Sequence, residues 1–494
     1  MSTSSKTSSG TLSDFEDPRF QLTVDSVNWD ALAFLGRNLF KAPCSHWGDQ
    51  VSGAYNLVRY LHLHGPDPTT IVARVPLQCE HTSTREHRIA TSNRIASEVA
   101  TMQYVEINTS IPVPHILLHS PSADTDTEEF KDVKSPFILM TYVEGVRLVS
   151  VWDDMVDEKR KSILQQVVDI LLELWTTRFD KPGALFRRKA DNGGADTWYT
   201  DDPSILCVSG PAASRDRIST MSYTHAADYW LAYANAYLRD IKINKFGLYG
   251  KDMEYCQFWF MRSIIPSLFD PSLDNYGYPL LPGDFHSQNL MVIDVDTPNP
   301  RISGVIDWEF SSAVFVTDFV FYPLYIQDHP DWDADNPLRE RNIKDRATFD
   351  SLITEAERKR TSPGGPPLSQ LFLNSRPTYL FCQLMKDPYT REAFYPLLFA
   401  YVYGDDEDFE GMYYNAVMEN GILRKETAGL KLERKACLEA RKVLGEDVIG
   451  VNLNEAGFAD IISAHLDKFN GEESPVRDWL EYYRVSKRDD EYLV

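Results

Sequence analysis

Alternation of apolar and polar positions dominates the early part of the chain. Leu57, Arg59 and Leu61 alternate with Val58, Tyr60 and His62, a strand pattern rich in β-formers. Strands are also predicted around Trp47 to Val51, over Thr70 to Pro76, over His115 to His119 and over Phe137 to Val143, where Glu144-Gly145 breaks the last run. Ser52-Gly53-Ala54 reads as the turn between the first two. Between these strands Ile95, Val99 and Met102 recur at i, i+4 and i+7, which predicts a helix with Thr91-Ser92-Asn93 as its cap. Trp29, Leu32, Phe34, Leu35 and Leu39 predict a short helix lying on this first region. Beyond Gly145 the period changes. Ile163, Val167, Ile170, Leu171 and Leu174 form one helical face, and further helices are expected over 226–241 and 252–269. Residues Phe179 to Met221 look irregular. Helix formers dominate from Asp333 onward, interrupted by Pro363-Gly364-Gly365-Pro366-Pro367. The pattern therefore predicts an α+β chain: a disordered tail over 1–20, a sheet with one helix over 21–143, and a large, mainly helical region over 144–494. No internal repeat is visible.

Within the helical region one stretch breaks the rule. Leu290 to Ile293 and Ile302 to Ile306 are short apolar strands, separated by the turn-forming Asp294-Val295-Asp296-Thr297-Pro298-Asn299-Pro300. A hairpin built from them puts Asn289 just ahead of its first strand and Asp307 just after its second. The polar turn Gly283-Asp284-Phe285-His286-Ser287-Gln288-Asn289 leads in. Asp or Asn in a turn is ordinarily only a turn residue. The ordered set, Asp284, Asn289, hairpin, Asp307, suits phosphoryl transfer instead. One carboxylate orients an attacking hydroxyl and takes its proton, while an amide oxygen and a second carboxylate hold Mg²⁺, a hard ion that prefers oxygen ligands.

Gly283 to Asn289, followed by Ile306-Asp307-Trp308-Glu309, resembles the aminoglycoside phosphotransferase family, a small-molecule branch of the protein-kinase-like fold similar to choline kinases. The resemblance implies a bilobal protein-kinase-like fold, with an N-lobe of antiparallel sheet plus helix and a large, mainly helical C-lobe. It also implies ATP and Mg²⁺, with Asp284 as base and Asn289 and Asp307 as metal ligands. Protein kinases usually carry Asp-Phe-Gly where this chain has Asp307-Trp308-Glu309, so the small-molecule branch fits better. By the same resemblance Arg74 stands where the fold places a phosphate-binding lysine; the other reading is a strand-edge cation. Glu98 lies about 60° round its helix from Ile95, at about 100° per residue, and a carboxylate there needs a cationic partner such as Arg74. Glu106, near the helix end, is its rival. Ser52 and Gly53 would face the phosphates, or form a plain hairpin; Ala54-Tyr55 after them rule out a P-loop. Backbone near Met140 and Tyr142 would meet the adenine, or Phe137 to Val143 is simply a core strand. His286 would assist near the transferred phosphate, or pack. Asp318 would brace the catalytic loop or cap a helix. Two departures stand out: Arg74 for lysine, and Pro282 where the family usually has His before Gly-Asp.

Composition narrows the function. Of the 494 residues 43% are hydrophobic and 25% charged, ordinary for a globular protein. A net charge of −23 disfavours nucleic acid and anionic lipid as partners and favours a cationic small-molecule substrate. Asp405-Asp406-Glu407-Asp408 reads as a solvated turn, with a site for such a cation as the alternative. No apolar run is long enough to span a bilayer. The six cysteines are scattered, with no Cys-x-x-Cys pair, so a zinc site or a disulfide framework is not expected. The Ser/Thr-rich start carries one Lys and no apolar stretch, unlike a secretory leader, and a cytoplasmic protein is expected. Two functions remain open: a phosphotransferase acting on a hydroxyl of a small molecule, and a degenerate kinase-like module that binds a nucleotide or a partner.

Overall fold

A computed structural model describes residues 17–431 apart from 80–83, 124–126, 191–194, 207–217, 219–221, 244–250, 330–331, 334, 361–364 and 387–390. The first elements are helices α1 (Pro18–Ser26) and α2 (Trp29–Phe40), then strands β1 (Cys44–Ser52), β2 (Asn56–His64) and β3 (Thr69–Pro76). Helix α3 (Arg85–Asn108), strand β4 (Ile116–Ser120), the single turn α4 (Glu128–Lys131) and strand β5 (Phe137–Thr141) complete this region. The five strands form one antiparallel sheet in the order β1-β2-β3-β5-β4. Its two faces follow from the strand period. Ile71, Ala73 and Val75 of β3 turn one way and pack with Leu32, Ala33 and Leu35 of α2. Val72 turns the other way, into a core with Ile95, Val99, Met102 and Val105 of α3. Arg74 shares that second face, so it is aimed at α3.

The expected tail ends early. Residues 1–16 lie outside the described region, but Pro18 opens α1, capped by the Asp17 side chain, and Phe20 is buried. Helix α3 likewise begins before its expected cap. Thr84 caps it by accepting from the His87 N–H at 3.3 Å, and Thr91, Ser92 and Asn93 fall inside it. Arg85 to Arg88 carry no apolar stripe, so periodicity alone could not find that turn.

Strand β6 (Val146–Arg147) and helix α5 (Asp157–Thr176) follow, then strands β7 (Arg178–Phe179), β8 (Gly183–Arg188) and β9 (Thr197–Asp201). The β8–β9 pair corrects the expectation of an irregular stretch. Ala184, Leu185 and Phe186 are buried in β8, but none is β-branched, and tertiary burial rather than propensity makes the strand. Next come α6 (Ala226–Ile243), α7 (Lys251–Leu268), β10 (Tyr278–Leu281), the hairpin β11 (Leu290–Ile293) and β12 (Arg301–Val305), β13 (Ser312–Ala313) and the turn α8 (Val316–Phe319), which holds Asp318. The chain continues through α9 (Pro337–Arg358), α10 (Leu368–Leu373), α11 (Arg376–Lys386), α12 (Arg391–Tyr403) and α13 (Glu407–Met418). The α+β class holds, with the antiparallel sheet ahead of the mainly helical remainder.

Two compact units emerge, Met1–Ala226 with Pro271–Arg376, and Ala227–Asp270 with Pro377–Val494. The first unit holds the sheet and the hairpin together. Its core joins Ile163, Val167 and Leu171 of α5 to Leu290 and Val292 of β11, Val305 of β12 and Trp308. Each such buried aliphatic side chain contributes about 1.5–3 kcal/mol. Arg160 at the start of α5 donates from Nε to both Asp345 carboxylate oxygens, at 3.1 and 3.0 Å, and pins α9 alongside. The second unit is built on aromatic rings: Tyr237 stacks on Phe258 with centroids 4.2 Å apart, and Trp230 meets Phe381 edge-on at 5.5 Å. In that unit Asp406 caps α13 by accepting from the Asp408 N–H at 3.0 Å, the turn role expected of the acidic run.

Candidate active site

The hairpin sets the geometry. Leu290 pairs with Val305 and Met291 with Gly304, and the Ile306 N–H donates to the Asn289 carbonyl at 2.9 Å. That bond holds the residue before β11 beside the residues after β12, as the hairpin pattern predicts. The loop ahead of β11 is folded on itself. The His286 N–H donates to the Asp284 carbonyl (3.1 Å) and the Asn289 N–H to the His286 carbonyl (3.0 Å). Asn289 is buried, and its Nδ2 donates to the Asp284 carbonyl at 2.9 Å and to Asp284 Oδ2 at 3.2 Å. With the amide nitrogen spent on the loop, Oδ1 is the atom left to serve a cation.

Asp284 is open, with 57% of its side chain exposed. His286 Nε2 lies 3.0 Å from Asp284 Oδ1, while its Nδ1 accepts from the Gln288 N–H at 3.0 Å. An acceptor at Nδ1 assigns the proton to Nε2, so the ring donates to Asp284. That bond, opposed by partial burial, holds the Asp284 carboxyl below its usual value. His286 thus meets the carboxylate rather than merely packing. Gly283 is needed for close approach: a Cβ there would stand 2.6 Å from the Glu309 carbonyl oxygen and 2.8 Å from that of Phe310. The loop after β12 therefore lies directly on the turn that carries Asp284.

That loop is under constraint. Asp307 and Phe310 both adopt left-handed backbone, with φ of 61° and 58°. Asp tolerates this conformation better than most residues, and Phe does not, so packing must hold the loop. Trp308 supplies it: fully buried, its Nε1 donates to the Val305 carbonyl at 2.9 Å, and its own carbonyl accepts from the Ser311 hydroxyl at 2.6 Å.

Arg74 reaches this loop from β3. Its Nη1 lies 3.3 Å from Glu98 Oε1, and its Nη2 donates to Asp307 Oδ1 at 2.8 Å and Glu309 Oε2 at 3.0 Å. A planar guanidinium can bridge α3 and the hairpin loop in this way, which a lysine point charge cannot do with two nitrogens. Burial works against the Arg74 charge, but Glu98, Asp307 and Glu309 outweigh it and hold its proton more tightly than usual. Burial pushes the Glu98 carboxyl up, and Arg74 pulls it the other way. Glu106, the rival, pairs instead with His115 at 2.7 Å.

Three contributors escaped the sequence reading. Glu309 is buried and also accepts from Asn56 Nδ2 at 3.0 Å, and its Oε1 lies 2.8 Å from Arg94 Nε. Arg94 precedes Glu98 by one helical turn, a spacing that was available as a signal. Asn56 opens β2 and Glu309 follows Asp307 by two, and neither position carries a pattern of its own. Tyr55 stands edge-on to Phe310, centroids 5.1 Å apart, so the β1–β2 turn is tied to the same loop. Ser52 ends β1, paired with Leu57, and Gly53 follows in that turn, neither with a hydrogen bond to the cluster among the described residues; the Gly53 N–H donates to the Asn56 carbonyl at 2.8 Å. Met140 is buried in β5 between Val72 and Ile116, and Tyr142, just past the strand, is exposed and edge-on to Tyr60.

The donor set suits Mg²⁺. Two guanidiniums, Arg74 and Arg94, face three acidic side chains, Glu98, Asp307 and Glu309, of which Glu98 is drawn toward its neutral form by burial. Asp307 keeps Oδ2 unengaged by Arg74 on a side chain 37% exposed, next to Asn289. Among the described residues no group of three or more His, Cys, Asp or Glu is arranged to hold a metal. An ion bound by one or two protein oxygens and completed by phosphates and water needs no such group.

No protein-family profile matches the chain. A relative from Meyerozyma guilliermondii, named altered inheritance of mitochondria protein 9, mitochondrial, is 32% identical over 118 residues, 24% of this chain and 17% of that protein. A subtelomeric hrmA-associated cluster protein of Aspergillus fumigatus is 30% identical over 122 residues, 24% of this chain and 22% of its own length. The match thus spans less than a quarter of the relatives' length. Solved structures similar to the chain include the streptomycin–ATP ternary complex of APH(2")-IIa, at 13% identity over 76% of this chain and 97% of that one, with a TM-score of 0.39. A putative fructosamine-3-kinase from Thermobifida fusca is 10% identical over 75% of this chain and 99% of its own, with a TM-score of 0.36. These likenesses are distant. They include the family that the Gly283–Asn289 and Asp307–Glu309 motifs resemble. The relatives' names correct the cytoplasmic expectation, because they place those proteins in mitochondria. Scattered cysteines report redox conditions and do not single out one compartment. Among the described residues no helix is long and apolar enough to cross a membrane.

Proposed function

We propose that the chain is an ATP-dependent phosphotransferase acting on a hydroxyl of a small molecule. The observation that carries this reading is the Asn289 amide, turned back on Asp284 through Nδ2 while the Ile306–Asn289 bond holds Asp307 alongside. The turn and the loop after β12 together thereby offer an open carboxylate for a hydroxyl and two oxygens for a metal. In this reading the acceptor oxygen bonds to phosphorus as the bond from phosphorus to the nucleotide's bridging oxygen breaks. Asp284 orients the hydroxyl and receives its proton, and His286 holds the carboxylate in place through Nε2. Asn289 Oδ1 and Asp307 Oδ2 would hold Mg²⁺, which supplies charge neutralisation on the phosphates. Arg74, steadied by Glu98, would face the phosphates, with Ser52 and Gly53 at the hairpin turn above and the backbone at Met140 and Tyr142 toward the adenine. The negative charge of the chain favours a cationic acceptor.

The test begins with a screen of hydroxylated metabolites for ATP turnover. With an acceptor in hand, Asp284→Asn keeps the shape and removes the base, and turnover should fall by about 10²–10⁴-fold while nucleotide affinity stays near that of the parent. Calorimetry should show ATP binding that depends on Mg²⁺ and loses this dependence in Asp307→Ala. Equal ATP affinity with and without Mg²⁺, or an Asp284→Asn variant as fast as the parent, would put the binding-module reading ahead.

A further inference from the structure

A cavity of about 450 Å³ lies away from this site, in the same unit, walled by Arg178 and Phe179 of β7, the exposed Asp180, His225, Asp274, Tyr276 and Tyr278. Tyr278 opens β10, whereas the Gly283–Asp284 turn follows its far end, so the strand of roughly 13 Å separates the two. The wall holds a concentration of unsatisfied groups. Arg178 Nη1 and Nη2, His225 Nδ1 and Asp274 Oδ1 are all buried with no hydrogen-bond partner. Buried polar atoms are nearly always bonded, and these are shut off from bulk water, so no solvent shell offsets the missing bonds.

Neither Arg178 nor Asp274 forms a salt bridge among the described residues, although His225 lies near enough to Asp274 to favour its charged form. Among the described residues no carboxylate pairs with Arg178; its guanidinium lies 3.8 Å from the centroid of the Trp175 ring, and burial alone pulls its pKa down to about 10. Asp274 is 5% exposed, and its Oδ2 accepts from the Ala226 N–H at 2.7 Å. Arg178 and Asp274 line one cavity and do not bridge to each other. A cation and an anion held apart this way match a ligand that carries both charges, its carboxylate toward Arg178 and its ammonium toward Asp274. Phe179, Tyr276 and Tyr278 add aromatic wall for an apolar body.

We propose that this cavity is a binding site for a small zwitterion of the amino-acid class, separate from the phosphoryl-transfer site. His225 Nδ1 supplies a further polar contact for the bound molecule. The site stands whether or not the catalytic reading does.

The full chain is screened by thermal shift against each of the twenty amino acids, and the best binder is measured by calorimetry beside its deaminated acid and its decarboxylated amine. The zwitterion should bind, and each analogue that lacks one charge should bind roughly tenfold to a hundredfold more weakly. Arg178→Gln should weaken the zwitterion by a similar factor. Asp274→Asn should do the same yet leave the deaminated acid's affinity unchanged, so the proposal stays testable if one variant fails to fold. Binding should persist in Asp307→Ala. The proposal is overturned if no amino acid binds, if the acid or the amine alone binds as tightly as the zwitterion, or if Asp307→Ala abolishes binding and so moves the ligand to the other site.

Discussion

The hydrogen-bond set of His286 decides what it can do. Nδ1 is occupied by the Gln288 N–H, so Nε2 must carry the hydrogen that reaches Asp284. A donor bond of this kind favours the charged carboxylate, and the Asp284 pKa lies below its usual value for that reason first. The sign follows directly. Asp284 must be deprotonated to accept a proton, and a depressed pKa keeps it so further into acid. Replacing His286 with Leu removes the donor, so the acid limb of kcat/KM should move to higher pH, with a smaller change on the plateau. A pH–rate profile with an unmoved limb would return His286 to a packing role. Asp284, Asn289 and Asp307 were readable because their order and the strands between them form a pattern. Arg74 was placed by resemblance, and its partner Glu98 by its angle on the helix. Glu309 was not readable as a clamp, because its role depends on Arg74, Arg94 and Asn56, three positions remote in sequence that only the folded sheet brings to it.

Among the elements, α3, β3 and the loop after β12 act as one unit through buried charge. Burying a charge costs several kcal/mol unless it is paired, so removing one member leaves the others exposed to that penalty. Glu309→Gln takes the anion from both Arg74 and Arg94 and should destabilise the fold by about 3–5 kcal/mol, read as a lowered unfolding temperature. For Arg74 and Glu98, direct contact predicts coupling: the double change to apolar residues should cost less than the sum of the single changes. Strict additivity in stability would contradict the 3.3 Å contact. The same elements show where periodicity stops being informative. Strands β2 and β3 and the central turns of α3 were legible because one face is apolar. The first turn of α3 runs through Arg85, Glu86, His87 and Arg88, which bury no stripe, and β8 opens with Gly, Ala, Leu and Phe, whose buried run signals no strand without its partner β9. The β11–β12 hairpin was legible because its seven-residue connection is almost wholly turn-forming.

At the scale of the whole molecule the limiting quantity is charge. Helical pattern after Gly145 told of helices but not of which helices share a core, so the two compact units were not readable from it. Aromatic contacts such as Tyr237 with Phe258 and Trp230 with Phe381 decide that grouping, and the second joins positions far apart in the chain. Net charge, by contrast, is visible in the sequence and has a consequence for stability. A chain of −23 repels itself when compact. That repulsion acts over long distances, and the screening length shrinks from about 30 Å at 0.01 M salt to about 8 Å at 0.15 M. The attractions holding the site act at contact and are buried: Arg160 with Asp345, and Arg74 with Glu98 and Glu309, lie where salt penetrates little. Exposed pairs such as Lys344 with Glu340 weaken in salt but contribute little to begin with. Repulsion should therefore lose more than attraction does as potassium chloride rises from 0.01 to 0.15 M, and the unfolding temperature should increase. Chloride is the salt to use, because sulfate strengthens apolar burial on its own account. A melting temperature that falls steadily over this range would mean that exposed ion pairs, and not the buried network or the net charge, dominate the electrostatics of the fold.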